Sequence, residues 1–441
     1  MTPHQTKSIT VSPCRRLQGT VLVPGDKSIS HRIAMLAALA SGTSTVRGFL
    51  NSEDCLTILA ALTQLGARVD FFGGQLRVTG TGGYFTCPAG ALDMGNSGTG
   101  MRLLAGLLAG NPFTCRMTGD ASLSSRPMRR IAEPLIRMGA SVILEGPDSC
   151  APIRISGGAL RGIEFAPAVA SAQVKSCILF AGLFARGTTT VIESSPTRDH
   201  TERLLQAMGV PLTVDGLRIS LRGFGSSGPE IPARAWTVPG DFSSAAFWIT
   251  AAACREGHAV ELPNVGWNPR RNALVAVLRR MGASITFTEN PDAAACECMG
   301  TIRVEGRTLR GTEVGGAEIP DLIDELPLVA VAGALAGGRT VIRNAAELRV
   351  KESDRIRSVV DNLTRLGVRV EENPDGMVIE GAAQVRGGVT LDSYGDHRLP
   401  MAMSILAMAA DAPVKLDDIA CVNKSYPDFW IDLGKVGGHA E

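Results

Sequence analysis

A chain of 441 residues is roughly two to four times the length of an ordinary domain, so it has room for more than one hydrophobic core. Its 45% hydrophobic content excludes a disordered chain, and 44 basic against 43 acidic residues leave no bulk charge for a nucleic-acid surface. No apolar stretch reaches the roughly 20 residues of a spanning helix, and the opening MTPHQTKSIT has no signal-peptide core, so a cytoplasmic protein with no membrane or nucleic-acid partner is expected.

The chain opens with a strand, KSITVSP, and then VPGDKSISHR leads into an Ala- and Leu-rich helix. A phrase of small residue, Gly, polar residues and an apolar β-former recurs as ASGTSTV, AGNPFTC, ARGTTTV, REGHAV, AGGRTVI and ADAPVKL, with anchors at 42, 110, 187, 257, 338 and 411. Six units of about 70 residues therefore account for nearly the whole sequence. A second phrase, Leu or Met then Gly then Ala or Val, follows each of five anchors at LGARV, MGASV, MGVPL, MGASI and LGVRV. The stretch before it reads as a helix: in EDCLTILAALTQLG, Leu56, Leu59, Leu62 and Leu65 are spaced for one face. Its Gly ends that helix, and a Val- or Ile-rich strand follows. Each unit is a mixed α/β module.

The units group in threes, because VPGDKSISHRIAMLAALASG at 23 and VPGDFSSAAFWITAAACREG at 238 match in register at an offset of 215. Two domains are expected, 24–240 and 1–23 plus 241–441, with the N-terminal strand completing the truncated sixth unit. A site between such domains is the usual arrangement.

Chemistry-bearing residues gather at helix starts. Lys27, Ser28, His31 and Arg32 open the first helix, where unpaired N–H groups and a lysine suit a phosphate or carboxylate. Asp26 separates Gly25 from Lys27, so this is no Walker A loop. GNSGTGMRLL brings Gly98, Thr99, Gly100 and Arg102 to another start, and Arg126, Arg129 and Arg130 surround Pro127. Ser171, Gln173 and Lys175 open an otherwise apolar helix, which a plain serine cap also explains. Arg198, Asp199 and His200 suggest a triad fragment but lack a nucleophile motif, and a salt bridge at a helix start explains them better. The acids lie in the second half: EIPDLIDELP carries Asp321, Asp324 and Glu325, and VKESDRIR carries Lys351, Glu352, Asp354 and Arg355. Lys351 and Arg355 are four apart, which on one helical face calls for a shared anion. YGDHRLPM adds His397 and Arg398, and CVNKSYPDFW adds Lys424. Ten scattered cysteines with one CxC pair, Cys296 and Cys298, and six histidines without metal-ligand spacing imply reduced thiols, no metal and no cofactor.

Taken together, PGDKSISHR, GNSGTGMRL, SRPM, SAQVKS, RDHTE, PDLIDELP, RVKESDRI, GDHRLPMA and NKSYPD resemble the enolpyruvyl transferases, in the branch that acts on shikimate 3-phosphate. The resemblance implies a two-domain inside-out α/β barrel of six βαβαββ units, three per domain around buried helices, with an interdomain cleft. It implies addition of the 5-hydroxyl of shikimate 3-phosphate to carbon 2 of phosphoenolpyruvate, protonation of carbon 3 and loss of phosphate. By position, Lys27, Asp324 and Glu352 match the catalytic groups. Lys27, Ser28, Arg32, Ser171, Ala172, Gln173, Arg198, Asp324 and Lys351 match the shikimate 3-phosphate side; Ala172 replaces a second serine, for which Arg198 compensates. Lys27, Gly98, Arg126, Gln173, Arg355, Arg398 and Lys424 match the phosphoenolpyruvate side. The resemblance also implies glyphosate as an inhibitor at the phosphoenolpyruvate position, and nothing in it demands more than a monomer. SAQVKS, RDHTE and IDELP look like the glyphosate-tolerant branch, in which Ala stands where this chain has Gly98.

Two other readings remain to be weighed. A sister transferase acting on UDP-N-acetylglucosamine has Asn after the lysine and a reactive Cys five residues before the RP arginine; here those places hold Ser28 and Ala121, and Cys115 falls in a strand. A non-catalytic repeat scaffold would keep the modules but gives no reason for Lys27, Lys351, Asp324 and Glu352.

Overall fold

The computed structural model describes residues 8–290, 297–381 and 384–441, so Cys296 lies outside the described residues. Contacts divide the chain into two compact units, one of Gly25–Val238 with Glu297, the other of the described residues within 1–24, 239–293 and 298–441. The chain passes from one to the other after Pro24 and after Val238.

The first unit holds three four-stranded sheets of one design. In the first, Ala235–Thr237 runs parallel to Thr43–Arg47, which pairs antiparallel with Gln75–Thr79 and through it with Arg68–Phe72. The sheets built on Thr114–Thr118 and Thr188–Ile192 repeat this order of one parallel and two antiparallel pairings. Alternation sets the facing: Leu76 and Val78 are buried while Arg77 between them is exposed. The second unit repeats the design on Ala259–Gly266, Arg339–Ile342 and Val414–Asp417. Its last sheet is completed by the N-terminal strand Ile9–Ser12, which pairs with Val414–Asp417 and with His439–Ala440.

Inside each unit lie three helices that are apolar almost all round, which is the composition of a helix with no solvent face. They are Lys27–Leu39, Gly98–Ala109 and Ala172–Gly182 in the first unit, and Phe242–Ala253, Leu326–Leu335 and Arg398–Ala407 in the second. Each set packs mutually at the centre of its own core. Close approach requires Gly106: a Cβ there would stand 2.2 Å from the Cys177 carbonyl oxygen. The helices over each sheet are amphipathic, and Glu53–Gln64 ends at Gly66 with φ +98°, where a side chain would be strained. The leucine stripe read for this helix needs one correction. Leu59, Leu62 and Leu65 are buried, but Leu56 is 43% exposed, and Cys55 and Ile58 take the remaining core positions. At 3.6 residues per turn, 55, 58, 59 and 62 form one stripe and 56 turns away from it.

Candidate active site

The first cluster is built on the N-termini of the first unit's core helices. Asp26 caps the 27–39 helix by accepting from Ile29 N–H at 2.8 Å, Ser97 caps 98–109 through Gly100 N–H, and Ser171 caps 172–182 through Val174 N–H. Those caps leave other orphan N–H groups and the positive ends of the helix dipoles at the cluster. Lys27 Nζ meets Asp54 Oδ2 at 3.0 Å, with both side chains partly exposed. Gln173 ties two of the helices, donating to Thr99 Oγ1 at 2.8 Å and accepting from Arg102 Nη1 at 2.6 Å. Arg126, buried, donates to Asn96 Oδ1 at 2.8 Å and to Ser122 Oγ at 3.1 Å, and a Cβ on Gly98 would stand 3.0 Å from its Nη1.

Arg32 is almost wholly buried and spans three elements, donating to Ser28 O, Ser176 Oγ and Thr201 Oγ1 at 2.8, 2.8 and 2.7 Å. Burial pulls its guanidinium down to about 10, Glu202, Asp26 and Glu297 oppose the fall, and the nearby Arg198 adds to it. Arg32 and Arg198 thus bring two positive charges to one place, which suits a phosphate. Beneath them Lys175, 1% exposed, pairs with Glu193 at 2.9 Å and Glu202 at 2.6 Å. This frame anchors the loop that carries Arg198, because Lys175 also donates to the Thr197 carbonyl. Of the suspected triad fragment, Asp199 pairs with Arg203 and His200 Nδ1 with Glu297, both structural contacts.

The second cluster lies in the other unit, at the starts of the core helices Leu326–Leu335 and Arg398–Ala407 and of the outer helix Arg355–Arg365. Arg355 is 1% exposed and its guanidinium gathers three carboxylates: Asp396 Oδ2 at 2.7 Å, Glu352 Oε2 at 2.6 Å and Asp324 Oδ1 at 3.2 Å. Against its burial, Asp396, Glu352 and Asp324 raise it further above its ordinary value, so it is a permanent cation. Arg398 donates to the Asp324 carbonyl at 3.0 Å and lies 3.6 Å from its carboxylate. Lys424 Nζ lies 3.4 Å from the Gly395 carbonyl. Burial draws Lys351 down from its ordinary value; Arg355 adds to the fall, and Asp324, Glu352 and Glu347 oppose it. Asp324, Lys351, Glu352, Arg355, Asp396 and Arg398 therefore share one electrostatic environment.

The expectation that Lys351 and Arg355 share a helical face is corrected here. The helix begins at Arg355, and Asp354 caps it by accepting from Arg357 N–H, so Lys351 sits in the extended turn before it. Asp54, Asn96 and Asp396, the partners of Lys27, Arg126 and Arg355, were not singled out from sequence. All three lie inside quoted phrases, Asp54 in EDCLTILAALTQLG, Asn96 in GNSGTGMRLL and Asp396 in GDHRLPMA, but no spacing marks them as partners of those cations. Among the described residues no group of His, Cys, Asp or Glu could hold a metal ion, and no helix is long and apolar enough to cross a membrane.

Comparison with known proteins finds matches over nearly the whole chain. The family EPSP synthase (3-phosphoshikimate 1-carboxyvinyltransferase) matches residues 11–433. A 3-phosphoshikimate 1-carboxyvinyltransferase of Akkermansia muciniphila is 50% identical, covering 95% of this chain and 97% of its own. One of Methylococcus capsulatus is 48% identical, covering 97% of each. A solved EPSP synthase of Acinetobacter baumannii superposes with a TM-score of 0.87 at 41% identity, covering 98% of this chain and 99% of its own.

Proposed function

The chain belongs to the EPSP synthase family, and on that premise we propose which of its residues bind and transform the two substrates. As in that family, it transfers the enolpyruvyl group of phosphoenolpyruvate to the 5-hydroxyl of shikimate 3-phosphate and releases phosphate, a step of the shikimate pathway.

Arg32 and Arg198, with Ser28, Ser171 and Gln173, take shikimate 3-phosphate. Two guanidiniums brought together and framed by buried ion pairs support that assignment. Ala172 supplies a methyl and a backbone N–H at the same helix start. Lys351 serves the same substrate. Arg126 beside Gly98, with Gln173, Arg355, Arg398 and Lys424, takes phosphoenolpyruvate, whose phosphate and carboxylate both need cations.

In the addition, Asp324 accepts the proton of the 5-hydroxyl as its oxygen bonds to carbon 2, and Glu352 delivers a proton to carbon 3. In the elimination, carbon 3 returns a proton, the carbon–oxygen bond to phosphate breaks and the enol ether double bond forms. Lys27, charged and partly exposed, meets the phosphate-bearing groups and shares in the proton transfers. The observation that carries this reading is Arg355, one guanidinium bonded to both Asp324 and Glu352, which holds a base and an acid at a fixed separation.

The test is a set of variants, Lys27→Met, Asp324→Ala and Glu352→Gln, each with its unfolding curve. Loss of about 100-fold or more in kcat with an unchanged curve is expected; kcat within threefold of the parent in any of them removes that residue from the chemistry. The same reading gives a monomer that glyphosate inhibits at the phosphoenolpyruvate position. Nine free cysteines among the described residues fit the cytoplasm, a reducing compartment.

A further inference from the structure

His31 is fully buried, yet the chemistry above gives it no task. Its Nδ1 lies 2.7 Å from the Lys27 carbonyl oxygen and its Nε2 3.0 Å from Ser97 Oγ. A carbonyl oxygen only accepts, so Nδ1 carries the hydrogen. Burial pulls the imidazole down to about 4, with the Lys27 and Arg32 charges adding to the fall and Asp54 and the Lys27 carbonyl opposing it. The ring is therefore neutral near pH 7, and Nε2 offers a lone pair. Ser97 O–H donates to that lone pair while its oxygen accepts from Gly100 N–H at 3.1 Å. The remaining neighbour, Cys55 Sγ at 3.8 Å from Nδ1, is a thiol that burial pushes far above its ordinary value and keeps neutral.

The hydrogen bonds form one directed chain from Gly100 N–H through Ser97 and His31 to the Lys27 carbonyl. Burying an imidazole is costly compared with a leucine of similar volume unless both nitrogens are engaged, and here both are. We infer that His31 is a positioning residue that fixes the Lys27 turn against the Ser97–Gly100 turn, and thereby the separation of two groups that receive phosphoenolpyruvate. The inference rests on the proposed assignment of Lys27 and Gly98 to that substrate.

Two substitutions cut the chain at different points. His31→Asn keeps a donor toward Lys27 and loses the acceptor for Ser97, whereas His31→Gln keeps an acceptor at the Nε2 position. The expected result is a roughly tenfold rise in KM for phosphoenolpyruvate in His31→Asn and in Ser97→Ala, and no further rise when the two are combined. His31→Gln, which loses the donor toward the Lys27 carbonyl, raises the same KM. Independent effects that multiply in the double variant, or an unchanged KM in His31→Asn, overturn the inference. Gly98→Ala and Arg126→Lys run alongside: if these also leave the phosphoenolpyruvate KM unchanged, it is the site assignment that has failed. Nitrogen-15 NMR of histidine-labelled parent protein at pH 7 is a check that does not depend on any variant folding. A neutral ring protonated at Nδ1 is expected, and an Nε2–H tautomer or an imidazolium contradicts the chain.

Discussion

Replacing Gly98 with alanine puts one methyl into the proposed phosphoenolpyruvate site. The new Cβ would stand 3.0 Å from Arg126 Nη1, 3.5 Å from Arg102 Nη1 and 3.6 Å from Leu123 Cδ1. Only the first is too close, so the Arg126 guanidinium must retreat by a few tenths of an ångström while its bonds to Asn96 and Ser122 resist. Overpacking of this kind costs about 1–3 kcal/mol. Phosphoenolpyruvate meets the lower end, about a fivefold rise in KM. Glyphosate is one bond longer between phosphorus and carboxylate, so it meets the upper end, an inhibition constant raised about 30- to 150-fold. The fold is not at risk, because Gly98 opens a helix without a left-handed φ and alanine is the better helix former. Steady-state phosphate release with varied phosphoenolpyruvate and glyphosate reads both constants. An unchanged inhibition constant, or a KM that rises as much as the inhibition constant, refutes the crowding argument.

Lys175→Met strands Glu193 and Glu202 in the core without their cation, at a cost of about 3–5 kcal/mol in urea unfolding; a loss below about 1 kcal/mol contradicts the framing role of this lysine. Arg355→Lys keeps the charge but cannot hold Asp324, Glu352 and Asp396 together, so kcat/KM should fall at least about 100-fold, and a fall under fivefold would mean that the fork is unimportant. Acid exposes His31: its folded pKa of about 4 lies below the unfolded value of 6.5, so the unfolded chain binds the extra proton between those limits. Stability is then lost as pH falls through that window, and between pH 7 and pH 4.5 the parent should lose about 2–3 kcal/mol more than His31→Gln. Equal losses measured by denaturant unfolding would place the acid sensitivity elsewhere.

The repeat was legible because its signals are local. Glycines that stop helices, such as Gly66, and the duplicated VPGD phrase, whose Asp26 and Asp241 both cap core helices, act over a few residues of chain. Lys27, Arg126 and Arg355 were legible for the same reason, as members of short phrases at helix starts. What holds them was not. Asp54 reaches Lys27 across 27 residues, Asp396 reaches Arg355 across 41, and Glu193 and Glu202 meet Lys175 only after the chain has turned through a strand. Such pairs are set by packing, and spacing carries no trace of them. The two misread details share a cause too. Leu56 and Lys351 were placed by counting along an assumed regular helix, and in one the stripe is displaced by a residue while in the other the helix starts four residues later.

Phosphate release is the most direct measurement of the central claim, with purified protein, phosphoenolpyruvate and either shikimate 3-phosphate or UDP-N-acetylglucosamine, in the presence of chelator. Release only with shikimate 3-phosphate, undiminished by the chelator, is the predicted result. Release only with the UDP-sugar, or with neither acceptor, would contradict it.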